Sequence, residues 1–260
     1  MSAPTPSDRL TIPPGWQVQH HDELPSTNTE LMARAVAGTA EPGVVLVATQ
    51  QTGGRGRQGR QWEAPAGGLY MSCLIADHEG WGTRWSLVVG LAAHQALAGL
   101  DPTLGADLRL KWPNDVYLDD RKLAGILIER AGMDEPWRLV IGLGVNVVRP
   151  DQPRADAAYV QDYAPTVLVA DLLPRVLTAL DGLRRQFAKS GPDMIRQAWL
   201  AHAWRLGGAV SCHVNGQKIT GLFRDLDRDG AMILERDDGQ VQRISGGDVH
   251  FGADHARGSS

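Results

Sequence analysis

Three stretches of the chain set cations beside residues that bend the backbone. Residues 51–62 read QTGGRGRQGRQW, three arginines among four glycines, closed by Trp62. Glycine has no Cβ, so such backbone can approach an anion closely. Arg55, Arg57 and Arg60 add planar donors suited to phosphate or carboxylate. The spacing of Gly54, Gly56 and Gly59 spells G-x-G-x-x-G. A dinucleotide fingerprint needs a helix opening at those glycines. Here Arg60 to Gly68 holds Pro65 and two further glycines, then leads into an apolar strand pattern. The match is therefore accidental, and no G-x-x-x-x-G-K-[ST] occurs. A solvated surface loop or an RNA contact would have the same composition. The second stretch, Arg109 to Asp115 (RLKWPND), places Lys111 on a strand that otherwise reads as core. A buried, unpaired ammonium is unfavourable, so Lys111 needs a partner. Pro113-Asn114-Asp115 is turn chemistry. The third stretch, Arg121 to Glu129 (RKLAGILIE), puts Lys122 at a strand start.

The elements that must hold these residues can be read from pattern. Gly15 to His21 reads as a first strand. Thr27 to Glu30 reads as a capping box with Thr27 at N-cap, opening a helix to about Ala37. Strands are expected at Val44–Ala48, Leu69–Ala76, Leu108–Trp112, Val116–Leu118, Leu123–Glu129 and Leu139–Val148. Helices are expected at Trp85–Leu100, at Thr166–Ala188 with an interruption at Pro174, and at Asp193–Arg205. Arg149 to Tyr163 reads as irregular. After Gly207-Gly208 the pattern changes to short alternating segments. Asn215-Gly216, Asp229-Gly230 and Asp238-Gly239 separate them as hairpin turns. About five strands in so short a span suggest a small SH3-like barrel. The expected division is a disordered 1–9, a catalytic unit 10–206, the barrel 207–253 and a loose tail 254–260.

Composition narrows the class. A chain of 260 residues with 43% hydrophobic residues suits one large domain with a small appendage. Its net charge of −4 argues against a general nucleic-acid binder. No apolar run approaches the roughly 20 residues needed to span a bilayer, and no signal peptide is visible. Cys73 and Cys212 lie far apart and read as buried thiols in a reducing, cytoplasmic setting. His20, His21, His94, His202 and His213 have no partners at ligand spacing, so no zinc site is expected.

Five motifs in order carry a resemblance. They are Ser26-Thr27-Asn28, then Gln51 through Arg60, then Lys111-Trp112-Pro113-Asn114-Asp115, then Lys122-Leu123-Ala124-Gly125-Ile126-Leu127, then Gly142-x-Gly144-Val145-Asn146. In this order and spacing the chain resembles biotin protein ligases over about residues 15–250, with Gly53 where the family has alanine. The resemblance implies an α+β fold of the class II aminoacyl-tRNA synthetase-like, biotin–lipoate ligase type. It has a mixed central sheet with helices and a C-terminal SH3-like barrel. It implies activation of biotin by ATP to biotinyl-5′-AMP, with release of pyrophosphate. The biotinyl group then passes to one lysine of a biotin carboxyl carrier domain. ATP and Mg²⁺ are implied as co-substrate and ion, with no permanently bound cofactor.

By the same resemblance, Ser26, Thr27, Asn28, Gln51, Arg55, Gly56, Arg57, Lys122 and Gly125 meet biotin or its acyl-phosphate. Arg55, Arg57, Trp62, Lys111, Asn114 and Asn146 meet the nucleotide, and Arg57, Lys111 and Lys122 act in catalysis. Asp115 would help hold Mg²⁺ or accept a proton from the incoming lysine. Its other reading is a pair with Lys111 or Arg109. Thr27 has two readings as well, helix cap and ligand contact, and Gly142 and Gly144 also suit a strand that needs close backbone approach. Fewer than thirty residues precede Ser26, too few for a winged helix-turn-helix. The expectation is thus the ligase-only branch, with no specific DNA binding, no membrane and a possible homodimer. The alternatives are a lipoate or related acyl ligase on the same fold, and a non-catalytic module that binds nucleic acid.

Overall fold

The computed structural model describes residues 11–251 except 79, 134, 215, 216, 246 and 247. The expectations for residues 1–9, the Asn215-Gly216 turn and the tail 254–260 lie outside the described residues.

Seven strands make the main sheet: β1 (Gln17–Leu24), β2 (Val44–Gln51), β3 (Leu69–Asp77), β4 (Leu108–Lys111), β5 (Asp115–Leu118), β6 (Arg121–Ala131) and β7 (Trp137–Val145). Their order is β1-β2-β3-β7-β6-β5-β4. Only β1 and β2 run parallel, because helix α1 (Thr27–Val36) crosses between them. The other neighbours are antiparallel, so the sheet is mixed.

Register decides where a site can exist. Strand side chains alternate between faces, so one face of β2, β3, β6 and β7 can be followed row by row. Leu46, Leu74 and Val140 lie under α1 and pack with its Leu31 and Ala35. Leu46 itself begins the next row on that face, with Ser72, Gly142 and Leu127, and the row after it holds Ala48, Tyr70, Gly144 and Gly125. One half of the face is thus apolar and covered, and the other half is floored largely by glycine. The opposite face carries Val45, Val47, Met71, Cys73, Ile75, Leu139, Ile141 and Leu143. Helices α2 (Trp85–Ala98) and α4 (Val169–Ser190) cover it. Helix α2 is apolar all round and buried on nearly every side, as a helix between sheet and outer helices must be. Burial pushes the Cys73 thiol up to about 12, so it is an inert core group.

Three local expectations need correction. Ser26, not Thr27, caps α1: its Oγ accepts from the Thr29 N–H at 3.4 Å, which leaves Thr27 inside the first turn. Helix α4 runs unbroken through Pro174. Pro174 lies in its second turn, where it removes one intrahelical donor, the one that would face the Ala170 carbonyl, without ending the helix. A short helix α3 (Pro102–Asp107) was not expected. Asp101 caps it by accepting from the Thr103 N–H, with Pro102 in its first turn. Helix α5 is Pro192–Ala201. Among the described residues, no helix is long and apolar enough to cross a membrane.

Five short strands follow: β8 (Ala209–Val214), β9 (Gln217–Leu226), β10 (Met232–Glu235), β11 (Val241–Ile244) and β12 (Asp248–Phe251). They form one antiparallel sheet in the order β11-β10-β9-β8-β12, the small β module expected. Its β9–β10 turn docks on the main domain. Trp112, 2% exposed, donates its indole N–H to the Gly230 carbonyl at 2.9 Å. Arg228 pairs with Asp193 at 2.8 Å, and Arg196 pairs with Asp225.

His94 and His202, which sequence left without partners, stack with ring centroids 3.9 Å apart. Burial first, then the neighbouring His202 and Arg109, push His94 down to about 4, against a smaller opposing effect of a backbone hydrogen bond at Leu108. A histidine depressed in the folded state contributes stability above its unfolded value near 6.5, and that contribution is lost as pH falls towards 4. Unfolding free energy should therefore drop over that window by at most about 3 kcal/mol. Urea titrations on the parent and on His94→Gln should show that only the parent has this slope; equal slopes would refute it. Trp112→Phe leaves the Gly230 carbonyl without its donor and should lower the unfolding free energy by roughly 1–3 kcal/mol. An unchanged urea midpoint would mean the docking contact contributes nothing.

Candidate functional site

The glycine-floored half of the sheet is the bottom of a cleft of about 460 Å³. The floor tolerates no side chain. A Cβ on Gly142 would lie 2.2 Å from Asn28 Oδ1. On Gly144 it would lie 2.7 Å from the Trp62 ring, and on Gly125 it would lie 2.9 Å from that ring. Close approach, one of the two purposes open to Gly142 and Gly144, is thus their structural role.

The inner wall is the first turn of α1. Ser26, Thr27 and Asn28 are all buried. Ser72 Oγ sits 2.7 Å from Thr27 Oγ1 and 2.6 Å from Asn28 Oδ1. Ser72 has one hydroxyl proton to give to these two contacts. The Asn28 oxygen only accepts, so that proton belongs to it. The Thr27 hydroxyl then turns to Ser72 or to Gln51 Oε1 at 3.2 Å, while the Thr27 N–H meets Gln51 Oε1 at 2.8 Å. The Asn28 amide donates to Glu129 Oε2 at 3.0 Å and to the Leu127 carbonyl at 3.4 Å. Gln51 and Asn28 are therefore fixed by protein groups and present a pre-set wall.

The Gly/Arg loop forms the outer wall. No helix opens at its glycines. A single 3₁₀ turn, Arg57–Gly59, interrupts extended backbone, with Gln58 at φ 57° and Gly59 at φ 73°. The neck is closed by Trp62 N–H to Gly54 O at 2.9 Å and Gly56 N–H to Arg60 O at 2.7 Å. A Cβ on Gly54 would lie 2.3 Å from the Trp62 carbonyl, so this crossing requires glycine. The Trp62 ring lies on the glycine floor, and its buried Nε1 has no hydrogen-bond acceptor among the described residues.

The cations arrive from three segments. Arg57 donates to Asn114 Oδ1 at 3.1 Å, and Asn114 in turn donates to the Ile126 carbonyl at 2.6 Å. Lys111 donates to the Tyr117 hydroxyl at 2.8 Å and lies over the Tyr117 and Trp204 rings at 4.6 and 5.3 Å. Burial first, with Asp115 next, pushes the Tyr117 phenol well above its usual range, so it stays protonated. Lys122 meets Asp115 at 2.7 Å and the Trp62 ring at 5.3 Å. The Lys122–Asp115 contact is close but off the hydrogen-bond line, so it is an ion pair held by charge. This corrects the partner expected for Asp115, which was Lys111 or Arg109. Arg109 instead donates to the carbonyls of Ala106 and Leu108. Asn146 donates its amide to Ala158 O at 3.3 Å and Lys122 O at 3.4 Å, bracing the strand that carries Lys122. Arg55 pairs with Glu129 at 2.8 Å.

The cleft thus brings together Ser26, Thr27, Asn28, Gln51, Arg55, Gly56, Arg57, Trp62, Lys111, Asn114, Asp115, Lys122, Gly125 and Asn146. Sequence reasoning missed Ser72, Tyr117 and Glu129. Each had a faint signal: one polar residue inside an apolar strand pattern.

A cation cage is absent among the described residues, since no three His, Cys, Asp or Glu side chains converge. Two other acids lining the cleft, Glu63 and Asp156, both lie against Arg154. Asp115 is left as the carboxylate set among the lysines. That donor set suits Mg²⁺ carried in by phosphates, which takes one or two carboxylates, rather than a resident ion.

Comparison with known proteins agrees with this geometry. Residues 22–146 match the model of the Biotin/lipoate A/B protein ligase family, and residues 206–252 match the Biotin protein ligase C terminal domain. A biotin--[acetyl-CoA-carboxylase] ligase of Mycobacterium tuberculosis is 36% identical over 247 residues, covering 90% of this chain and 89% of its own. The fold is similar to the biotin protein ligase of Aquifex aeolicus in complex with biotin and ATP. There the TM-score is 0.77 and the identity 26%, over 90% of this chain and 99% of that one. It is also similar to the Leishmania major enzyme in complex with biotinyl-5-AMP, at TM-score 0.61 and 25% identity, over 90% of this chain and all (100%) of that one. Five ordered motifs on a glycine-floored cleft, two matched family models and a relative similar over nearly its whole length lead to one conclusion: this chain belongs to the biotin protein ligase family.

Proposed function

We propose that this chain joins biotin to a lysine of a biotin carboxyl carrier domain in two steps driven by ATP. In the first, a biotin carboxylate oxygen attacks the α-phosphorus of ATP. The bond to the β-phosphate oxygen breaks, and pyrophosphate leaves with that electron pair. In the second, the carrier's lysine amine attacks the acyl carbon, AMP leaves, and the amine gives up a proton. Both partners of the first step are anions, so catalysis is mainly positioning and charge neutralisation.

The observation that carries this reading is the convergence of Arg57, Lys111 and Lys122, from three separate segments, on one glycine-floored cleft. Lys122, aimed by Asp115 and Trp62, serves the acyl-phosphate junction. Arg57 and Lys111 serve the phosphates, with Asn114 orienting the guanidinium. The Ser26–Asn28 turn and Gln51 form the biotin end. The Trp62 ring on Gly125 and Gly144 covers the reacting atoms and keeps water from the mixed anhydride. Asp115 is placed to accept the amine's proton or to hold Mg²⁺ arriving with ATP, an ion that would offset phosphate charge. In this reading residues 10–206 are the catalytic unit and 207–253 its appended β module. The setting is cytoplasmic, in keeping with two free, buried thiols. A second copy would add to the outer edge of β1, which is hydrogen-bonded to β2 on one side only.

Pyrophosphate exchange into ATP tests the substrate. Exchange should require biotin. Exchange with lipoate instead would make this a lipoate ligase, and exchange with neither would support a binding module. Lys122→Ala should slow adenylate formation by on the order of 10²-fold, about 2.7 kcal/mol of barrier. Single-turnover rates near the parent's would show that Lys122 only packs against Trp62.

A further inference from the structure

Glu129 belongs to none of the five motifs, yet it joins two walls of the cleft. It lies at the inner end of β6, opposite Val140, one row deeper than Leu127 and Gly142. Its Oε2 accepts from the Asn28 amide at 3.0 Å and from Arg55 Nη1 at 3.2 Å, and its Oε1 accepts from Arg55 Nη2 at 2.8 Å. The Arg55 pair is therefore two-pronged, the geometry in which a guanidinium is most firmly oriented. Asn28 is 4% exposed and its oxygen is already taken by Ser72, so Glu129 completes the hydrogen bonding of a buried amide. Arg55 sits at the neck of the Gly/Arg loop, bridged across to Gln61 and followed by the Gly56–Arg60 closure.

We propose that Glu129 is a positioning residue that sets the Asn28 amide at the biotin end and, through Arg55, pins the neck of the Gly/Arg loop to β6. Arg55 then acts as the anchor of the loop, and the loop's charge at the acyl-phosphate comes from Arg57. This rests on the adenylate-forming function proposed above. The carboxylate serves both groups with two oxygens, so neutralising it loosens the loop, while neutralising Arg55 loosens the loop without touching Asn28.

A double-mutant cycle with Glu129→Gln and Arg55→Gln tests this on two readouts: hydrogen–deuterium exchange of residues 51–62, and the rate at which pre-formed biotinyl-5′-AMP leaves the protein. Each single variant should raise both rates by about threefold to tenfold, the lower part of the range for coupled contacting side chains. The double variant should be no faster than the quicker single one, and Glu129→Asp, which keeps the charge, should recover part of the protection. Single effects that multiply in the double variant would mean Arg55 acts on the ligand itself and would overturn the proposal. So would parental loop exchange in Glu129→Gln, or a Glu129→Asp protein as unprotected as Glu129→Gln. Hydrogen exchange needs no turnover, so a parent that failed to exchange pyrophosphate would sink the function and leave the loop anchor still decided by the cycle.

Discussion

Everything in the cleft depends on side chains that are missing. Gly125, Gly142 and Gly144 leave two adjacent rows of one sheet face with little above the backbone. Into that space Asn28 descends from α1, and the Trp62 ring descends from the loop. The constraint is steric and severe, since each of the three would bring a Cβ to within 3 Å of one of those groups. Antiparallel register does the rest. Because Gly125 pairs with Gly144, glycines of two strands fall side by side, and Gly142 lies one row deeper on the same face, opposite Leu127. The row beneath α1 is aliphatic at Leu74 and Val140, which hold the helix in place, and carries Glu129 at its β6 end. A one-residue slip would move every glycine to the opposite face and put the core residues of α2's side into the cleft.

Over this floor the cations are each parked on a partner: Lys122 on Asp115, Arg55 on Glu129, Arg57 on Asn114, Lys111 on Tyr117. Parking prevents mutual repulsion in a confined volume and fixes the directions of long side chains. The partners differ in kind, and that matters. Arg57 donates to an amide oxygen and Lys111 to a phenol hydroxyl. The charges of Lys122 and Arg55 are opposed by carboxylates. Partly exposed pairs of this sort contribute little, about 1 kcal/mol or less, so an incoming anion competes with Asp115 without a large barrier. The two-pronged pair of Arg55, sharing its carboxylate with a buried amide, is the least easily exchanged of the four.

Sequence showed most of the strands because their apolar runs are bounded by turns, and it showed the cationic stretches because glycine beside arginine is unusual. What it could not show was who meets whom. The Thr27–Glu30 spacing of a capping box puts the cap one position too late; the cap is Ser26, and Thr27 is buried against Gln51 and Ser72. Asp115 was paired by nearness in sequence with Lys111, whereas a bulge between β5 and β6 brings Lys122 across to it. Ser72 and Glu129 left only a faint trace for a related reason. A lone polar residue in a strand gains meaning only from the groups that face it, and these come from far off in sequence: Asn28 of α1 for both, and Arg55 of the loop for Glu129. The expected interruption at Pro174 does not occur: the helix continues past the one hydrogen bond the proline removes, and its apolar face stays buried on both sides of it, at Leu172, Leu173, Val176 and Leu177.

The small β module belongs in the same chain of causes. Its β9–β10 turn reaches the main domain at Trp112, the residue between Lys111 and the Pro113-Asn114-Asp115 turn. Pro113 is itself held by Ser86, whose hydroxyl donates to its carbonyl at 2.6 Å. This turn is thus clamped from α2 on one side and from the β module on the other. Lys111, Asn114 and Asp115 all project from it into the cleft. A turn carrying three polar groups has no apolar face of its own with which to fix its place. Burying the large indole of Trp112 supplies that face, and the Gly230 carbonyl satisfies the one polar atom the indole brings with it. The placement of half the cationic site therefore depends on a contact made more than a hundred residues later in the chain. On this physical ground the appended sheet is part of the site's support, though its strands lie outside the cleft.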